Sequence, residues 1–190
     1  MSRDASSISS SSPAPRRRAL LGAAGLLGLG GCGFSPLYAP GGGGGEELRA
    51  EMAAIRIGPV YERNGQLLRR SLQRRFEDSR PGTQARYLLS VTPTFGYEVL
   101  GYQRDGTISR VRVTATGNWN LATLAVPPQV LANSPIPYRS FDSFNIPDLQ
   151  FFSADTAREA AEQRLVELLS EEISRAVVLE LRRRNEARTA

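Results

Sequence analysis

Six apolar residues, Ala161, Leu165, Leu169, Ile173, Val177 and Leu181, step by four through the last part of this chain. The run is far longer than an ordinary strand, and an α-helix gathers that spacing into a single stripe. Leu168 and Ala176 thicken the stripe. The pairs Arg158–Glu162 and Glu171–Arg175 sit one helical turn apart on the far side. Thr156-Ala157-Arg158-Glu159 reads as a capping box, with Ser153 competing as the cap. Arg182, Arg183 and Arg184 stand where cations suit the negative end of a helix. So long a stripe needs a broad apolar surface to cover it, and a sheet with one apolar face supplies one.

Such a sheet is legible upstream. Met52 to Gly58 alternates, with Ala53, Ile55 and Ile57 on one side, and Pro59 stops it. Asn64 is the expected N-cap of a first helix on which Leu68, Leu72 and Phe76 line one face, with Leu67 beside them. Arg69, Arg70, Arg74 and Arg75 cover the rest of it, and Arg80-Pro81-Gly82 ends it. Tyr87, Leu89 and Val91 face inward on a second strand that continues past Pro93 as Phe95, Tyr97 and Val99. A proline there predicts an edge position or a bend. Asp105-Gly106, flanked by alternating runs, predicts a type I′ hairpin. The returning strand puts Val111, Val113, Ala115 and Trp119 on one face. Ile108, Arg110, Arg112, Thr114, Thr116 and Asn118 take the other. Pro127-Pro128 leads through Val130 and Leu131 to a fourth strand near residues 137–146. The expected class is α+β, two helices packed on one face of a four-stranded, mostly antiparallel sheet, in the order β-α-β-β-β-α.

The N-terminal part obeys different rules. Arg16, Arg17 and Arg18 precede a short apolar run from Ala19 to Leu29, and Leu29-Gly30-Gly31-Cys32 closes it. The run is about half of the ~20 residues that a bilayer span requires, so it reads as a removed export signal. The Leu-small-Gly-Cys ending resembles a bacterial lipobox, whose cysteine is acylated and becomes the mature N-terminus. The other reading is a buried structural cysteine behind an ordinary signal. Arg17-Arg18 fits either a twin-arginine signal or a common n-region. Residues 33–40 and the run Gly41 to Gly45 read as a flexible tether. The expected organisation is a signal over 1–31, a lipidated N-terminus and tether over 32–46, one domain over 47–185 and a short tail.

Removing residues 1–31 lowers the formal net charge from +5 to +2, so the high pI belongs mostly to the signal and nucleic acid is a poor partner. All 24 basic residues are arginine. Genomic base composition explains that, and so does a need for guanidinium forks that grip phosphate in two places; both can hold together.

The ordered set of motifs resembles the LptE family of LPS-assembly lipoproteins, its alphaproteobacterial members in particular. It begins with the lipobox and Gly33-Phe34-Ser35-Pro36-Leu37-Tyr38. It continues through Asn64-Gly65-Gln66-Leu67-Leu68, Ala85-Arg86-Tyr87, Arg104-Asp105-Gly106-Thr107 and the Arg-Val-Arg-Val strand, and ends in the helix with Ala157, Ala160 and Ala161. There are departures: the proline-rich 127–137 stretch replaces a tighter hairpin, and Phe144-Asn145 stands in place of Tyr-Asn. The resemblance implies a non-enzymatic protein anchored at the outer membrane through triacylated Cys32. It further implies a plug inside an LptD β-barrel that binds LPS and assists its delivery to the outer leaflet.

No cofactor is expected. Without histidine or lysine the chain lacks the commonest general base and any Schiff-base or Ser-Lys chemistry. The glycine run lacks the Gly-Lys-Ser/Thr ending of a phosphate loop. For LPS contact the sequence offers Arg110 and Arg112 on one strand face, with Arg104 across the turn. The helix face of Arg69, Arg70, Arg74 and Arg75 is the second candidate. Two other functions fit an exported lipoprotein: an accessory of a lipid-transport ABC system, and a lipid-anchored periplasmic hydrolase.

Overall fold

The first described helix, α1 (Gly43–Ala53), begins inside the glycine run. The computed structural model describes residues 43–189 apart from Leu149, so Cys32, the signal and most of the tether lie outside the described residues. Helix α1 was not expected. Leu48 and Met52, one turn apart, are buried on it, and Glu46 in its first turn suits the positive helix end. Met52 and Ala53, read as the start of a strand, are its last residues. The strand itself, β1, is only Ile55–Ile57. Ala53 is shared by both periodicities, which is why the alternation looked longer than it is.

Helix α2 (Arg63–Arg75) follows, capped by Glu62 at φ 65° and not by Asn64. Asn64 sits in the first turn and sends its amide to Glu162 instead, at 2.9 Å. Gly65 is required here, because a Cβ would stand 2.8 Å from Val60. A short 3-10 turn (Glu77–Ser79) leads to the long hairpin of β2 (Tyr87–Tyr102) and β3 (Ile108–Thr123). Its tip is not the predicted type I′ turn. Gly106 N–H donates to the Gln103 carbonyl, which makes Arg104 and Asp105 the central pair, and only Gly106 has positive φ. A turn followed by a left-handed glycine is the three-residue hairpin alternative.

Two strands come after the proline-rich stretch, where one was expected: β4 (Val130–Asn133) and β5 (Tyr138–Asn145). Both pair antiparallel with β3, β4 beside residues 120–122 and β5 beside residues 110–117. β1 pairs parallel with the start of β2. The sheet is therefore five-stranded and mostly antiparallel, β1-β2-β3-β4, with β5 also on β3. Beyond Leu89, β2 has no partner on its β1 side among the described residues, so Pro93 lies on an edge there, as its missing N–H demands.

The last helix, α3 (Phe151–Thr189), starts before the predicted caps. Ser153 and Thr156 lie inside its first turns and bond back to the carbonyls of Gln150 and Phe152. All six stripe residues are buried; Ala161 and Leu165 share a core cluster with Val111, Val113, Ala115 and Phe144, and α3 packs on β3, β5 and α2. Leu168 does not thicken the stripe; it is half exposed, and Val166 and Val178 are buried instead. Gly117 on β3 lets the helix come close, since a Cβ there would meet Leu169 at 2.8 Å. Helices α2 and α3 thus lie on one face of the sheet, and α1 packs against α3 and the 3-10 turn.

Candidate functional site

The other sheet face is covered by none of the described elements, and strand register fixes what it displays. Alternation along β3 sends Val111, Val113 and Ala115 to the helices and Arg110, Arg112, Thr114 and Thr116 outward. Antiparallel pairing extends each into a row. Arg112 lies between Glu98 and Ser143, Thr114 between Gly96 and Phe141, Thr116 between Thr94 and Arg139, and Arg110 beside Asn145.

Arg110 and Arg112 share this face, as their spacing predicts, but they are not equivalent. Arg112 is half-buried and its Nη1 donates to Glu98 Oε2 at 3.1 Å; its guanidinium also lies 5.9 Å from the Phe141 ring centroid. Arg110 is exposed and meets only a hydroxyl, its Nη2 donating to Ser143 Oγ at 2.8 Å. The mutual repulsion of the two arginines is therefore relieved in part by Glu98. Arg110 keeps its charge available. Arg104 is exposed in the hairpin loop, next to an Asp105 carboxylate that is itself engaged. Thr107 donates to Asp105 from its backbone N–H at 3.0 Å and its hydroxyl at 2.7 Å, and this holds the carboxyl below its usual range.

The helix cluster is mostly spoken for. Arg75 and Arg74 both pair with Glu167 of α3, Arg74 at 3.9 Å. Glu167 also accepts from the Ser71 hydroxyl at 2.7 Å. That hydroxyl first, opposed by burial and then helped by Arg75, depresses the Glu167 pKa. Arg69 is half-buried against the fold. Arg70 remains exposed beside a shallow groove whose walls include Leu67, Arg74 and Val166.

A second polar cluster joins three elements. Glu162 of α3 is 7% exposed and accepts from Tyr97 Oη at 2.8 Å and from Asn64. Burial, then this bond, raises the Tyr97 pKa. The cluster pins the middle of β2 to both helices. Among the described residues no three His, Cys, Asp or Glu gather as a metal site.

Sequence reasoning missed Glu98, Arg139 and Phe141 on the open face. The signal for the last two was the parity of the fourth strand. Phe144 is buried, so Phe141, three residues earlier, must point the other way.

Comparison with family models identifies one family. Residues 52–177, about two thirds of the chain, match the family model for LptE, described as lipopolysaccharide-assembly. No curated protein sequence matches. Among solved structures, a lipoprotein from Caulobacter crescentus superposes with a TM-score of 0.56 at 17% identity, covering 73% of this chain and 97% of that one. Rare lipoprotein B from Shewanella oneidensis gives 0.46 at 9% identity, over 71% and 96% of the two chains. The first of these supports the fold alone.

Proposed function

Because the chain belongs to the LptE family of lipopolysaccharide-assembly lipoproteins, which are not enzymes, we propose that it serves at the outer membrane. There it acts as plug and folding partner of an LptD-like β-barrel and assists delivery of LPS to the outer leaflet. The observation that carries this reading is the sheet's uncovered face, polar along β3 and fringed with arginine, in a protein matched to that family. A barrel lumen is polar, and a body placed in it needs hydrogen-bonding and charged groups outward. Rows of Thr, Ser, Asn and Arg meet that need.

Anchoring rests on Cys32. Each buried methylene contributes about 0.8 kcal/mol, and stable attachment needs more than one chain; a triacylated cysteine supplies three. Gly33 in the next position, with no Asp, favours the outer membrane over the inner one. The LPS contact is assigned to Arg110 and Arg112, with Arg104 nearby. Guanidinium–phosphate forks are strong and directional, and Arg110 has the least compensated charge of the pair. Arg70 on α2 is the next candidate.

Depletion of the protein in its own cells tests the function. Newly made LPS should stop reaching the cell surface while the precursor accumulates in the periplasm and inner membrane. Replacing Arg110 and Arg112 by Gln should weaken LPS binding, most at low salt where screening is least, and leave barrel association intact. Unchanged LPS affinity in the double variant moves the contact to the helix face.

A further inference from the structure

Phe141 is 72% exposed in the middle of a hydrophilic region of the sheet. Single exposed apolar residues are common; what sets this ring apart is its place in the arginine-bearing rows of the open face, where nothing described covers it. Its surroundings give it a definite chemistry. Along β5 it stands between Arg139 and Ser143 on the same face; across the strands its row is completed by Thr114 and Gly96. A Cβ on Gly96 would find nothing within 4 Å. The row is thus high at the ring and low beside it, a shelf about 10 Å across, two strand spacings wide. The Arg112 guanidinium lies over the ring at 5.9 Å and marks one side of it as occupied. The charge balance of these rows is positive, with Arg110, Arg112 and Arg139 facing one carboxylate, Glu98.

Those features select among occupants. A protein hot spot has its aromatic anchor in an apolar, water-excluding surround. Here the immediate neighbours in the paired rows are hydroxyls, guanidinium groups and bare backbone. A ring that offers one flat apolar face, amid donors suited to hydroxyl and acidic oxygens, matches a pyranose. One face of a sugar presents C–H groups and its rim presents oxygens. We propose that this shelf binds an anionic saccharide, one sugar ring stacking on Phe141 and its phosphate or carboxylate groups held by Arg139 and Arg110. The inference rests on the LPS reading above and narrows it. The part of the ligand taken by this face is the phosphorylated saccharide, not the acyl chains, and the specificity residues are Phe141 and Arg139.

The test is calorimetric titration of the full lipoprotein in detergent with two probes. One is deacylated LPS oligosaccharide with its phosphates intact; the other is the same material after phosphatase treatment. Wild type should bind the phosphorylated probe more tightly. Phe141→Ala should weaken both probes about tenfold, as expected for loss of one aromatic stacking contact, with the melting temperature unchanged. Phe141→Trp should restore binding. Arg139→Gln should abolish the preference for the phosphorylated probe. Equal binding of both probes by wild type and Phe141→Ala overturns the platform. If Arg110→Gln/Arg112→Gln still weakens intact LPS in that case, the LPS reading stands and only the platform is lost. If intact LPS binds wild type and all these variants alike, the platform is lost and the LPS contact moves to the helix face. Should Phe141→Ala instead leave saccharide affinity intact and release a co-purifying barrel, the ring is a protein contact and the proposal is wrong.

Discussion

Glu162 is the residue on which three elements agree, and it shows what a buried carboxylate does in this fold. It accepts from Tyr97 and Asn64, with Arg158 only at 4.0 Å. Glu162→Ala would remove both hydrogen bonds, at a cost of about 1 kcal/mol each because the half-exposed donors can turn to water, measured as a lower denaturant midpoint. Tyr97 adds a pH signature. Its pKa is raised in the folded state by burial and by Glu162. The folded protein therefore holds that proton more tightly than the unfolded chain does. The associated stability is complete below the ordinary tyrosine value of about 10 and is lost as pH climbs through the folded one. Tyr97→Phe should flatten that alkaline loss in pH-dependent melting. None of this was legible in the sequence, where Asn64 looked like a cap and Glu162 like one half of a surface pair with Arg158. Their meeting depends on how α2 lies along α3, which no local pattern encodes. Arg110 and Arg112 were legible because strand alternation is local; the Glu98 partner was not, since it comes from the register of the hairpin.

The elements themselves divide along the same line. The stripe from Ala161 to Leu181 and the inward set Val111, Val113 and Ala115 announced α3 and β3, because each repeats one period over several turns or pleats. Helix α1 escaped notice, since it is short and begins in glycines, residues that disfavour a helix. β4 was hidden among prolines. Gly117 gave no sign of its role until the helix was seen against it. With a Cβ it would press on Leu169. Gly117→Val should destabilise by about 1–3 kcal/mol through overpacking, and Leu169→Ala by about 2–5 kcal/mol through the cavity it leaves. The two sites touch, so the double variant should be more stable than the sum of the singles indicates. Chemical denaturation of all four proteins measures the coupling. The α2–α3 seam carries an acid-sensitive link as well. Glu167 has a depressed pKa, chiefly through the Ser71 hydroxyl, so its contribution is present above the ordinary glutamate value of about 4.3 and is lost as pH falls through the folded one. Glu167→Gln should remove that share of the acid-induced drop in melting temperature.

At the scale of the whole molecule, helices lie on one sheet face and none of the described elements covers the other, and the described part contains no helix long and apolar enough to cross a membrane. The proposed attachment is through Cys32. Cys32→Ser should leave a larger precursor that no longer fractionates with outer membrane, while an unchanged mature mass and location would refute lipidation. The bare face, the polar rows and the hairpin loop are the parts available to a partner. Photo-crosslinkers at Asp105 and in residues 133–137 should reach the barrel wall in cells. The rival functions share the anchor but not the partner: an ABC accessory would bring transporter subunits, and a hydrolase would turn over ester or glycan substrates without a stoichiometric partner. The most direct measurement is affinity purification of the full lipoprotein from detergent-solubilised envelopes, with the complex identified and its stoichiometry counted by mass spectrometry. The account predicts an equimolar complex with a large outer-membrane β-barrel that survives washing. Recovery of the lipoprotein alone, or with inner-membrane transporter subunits in place of the barrel, would contradict it.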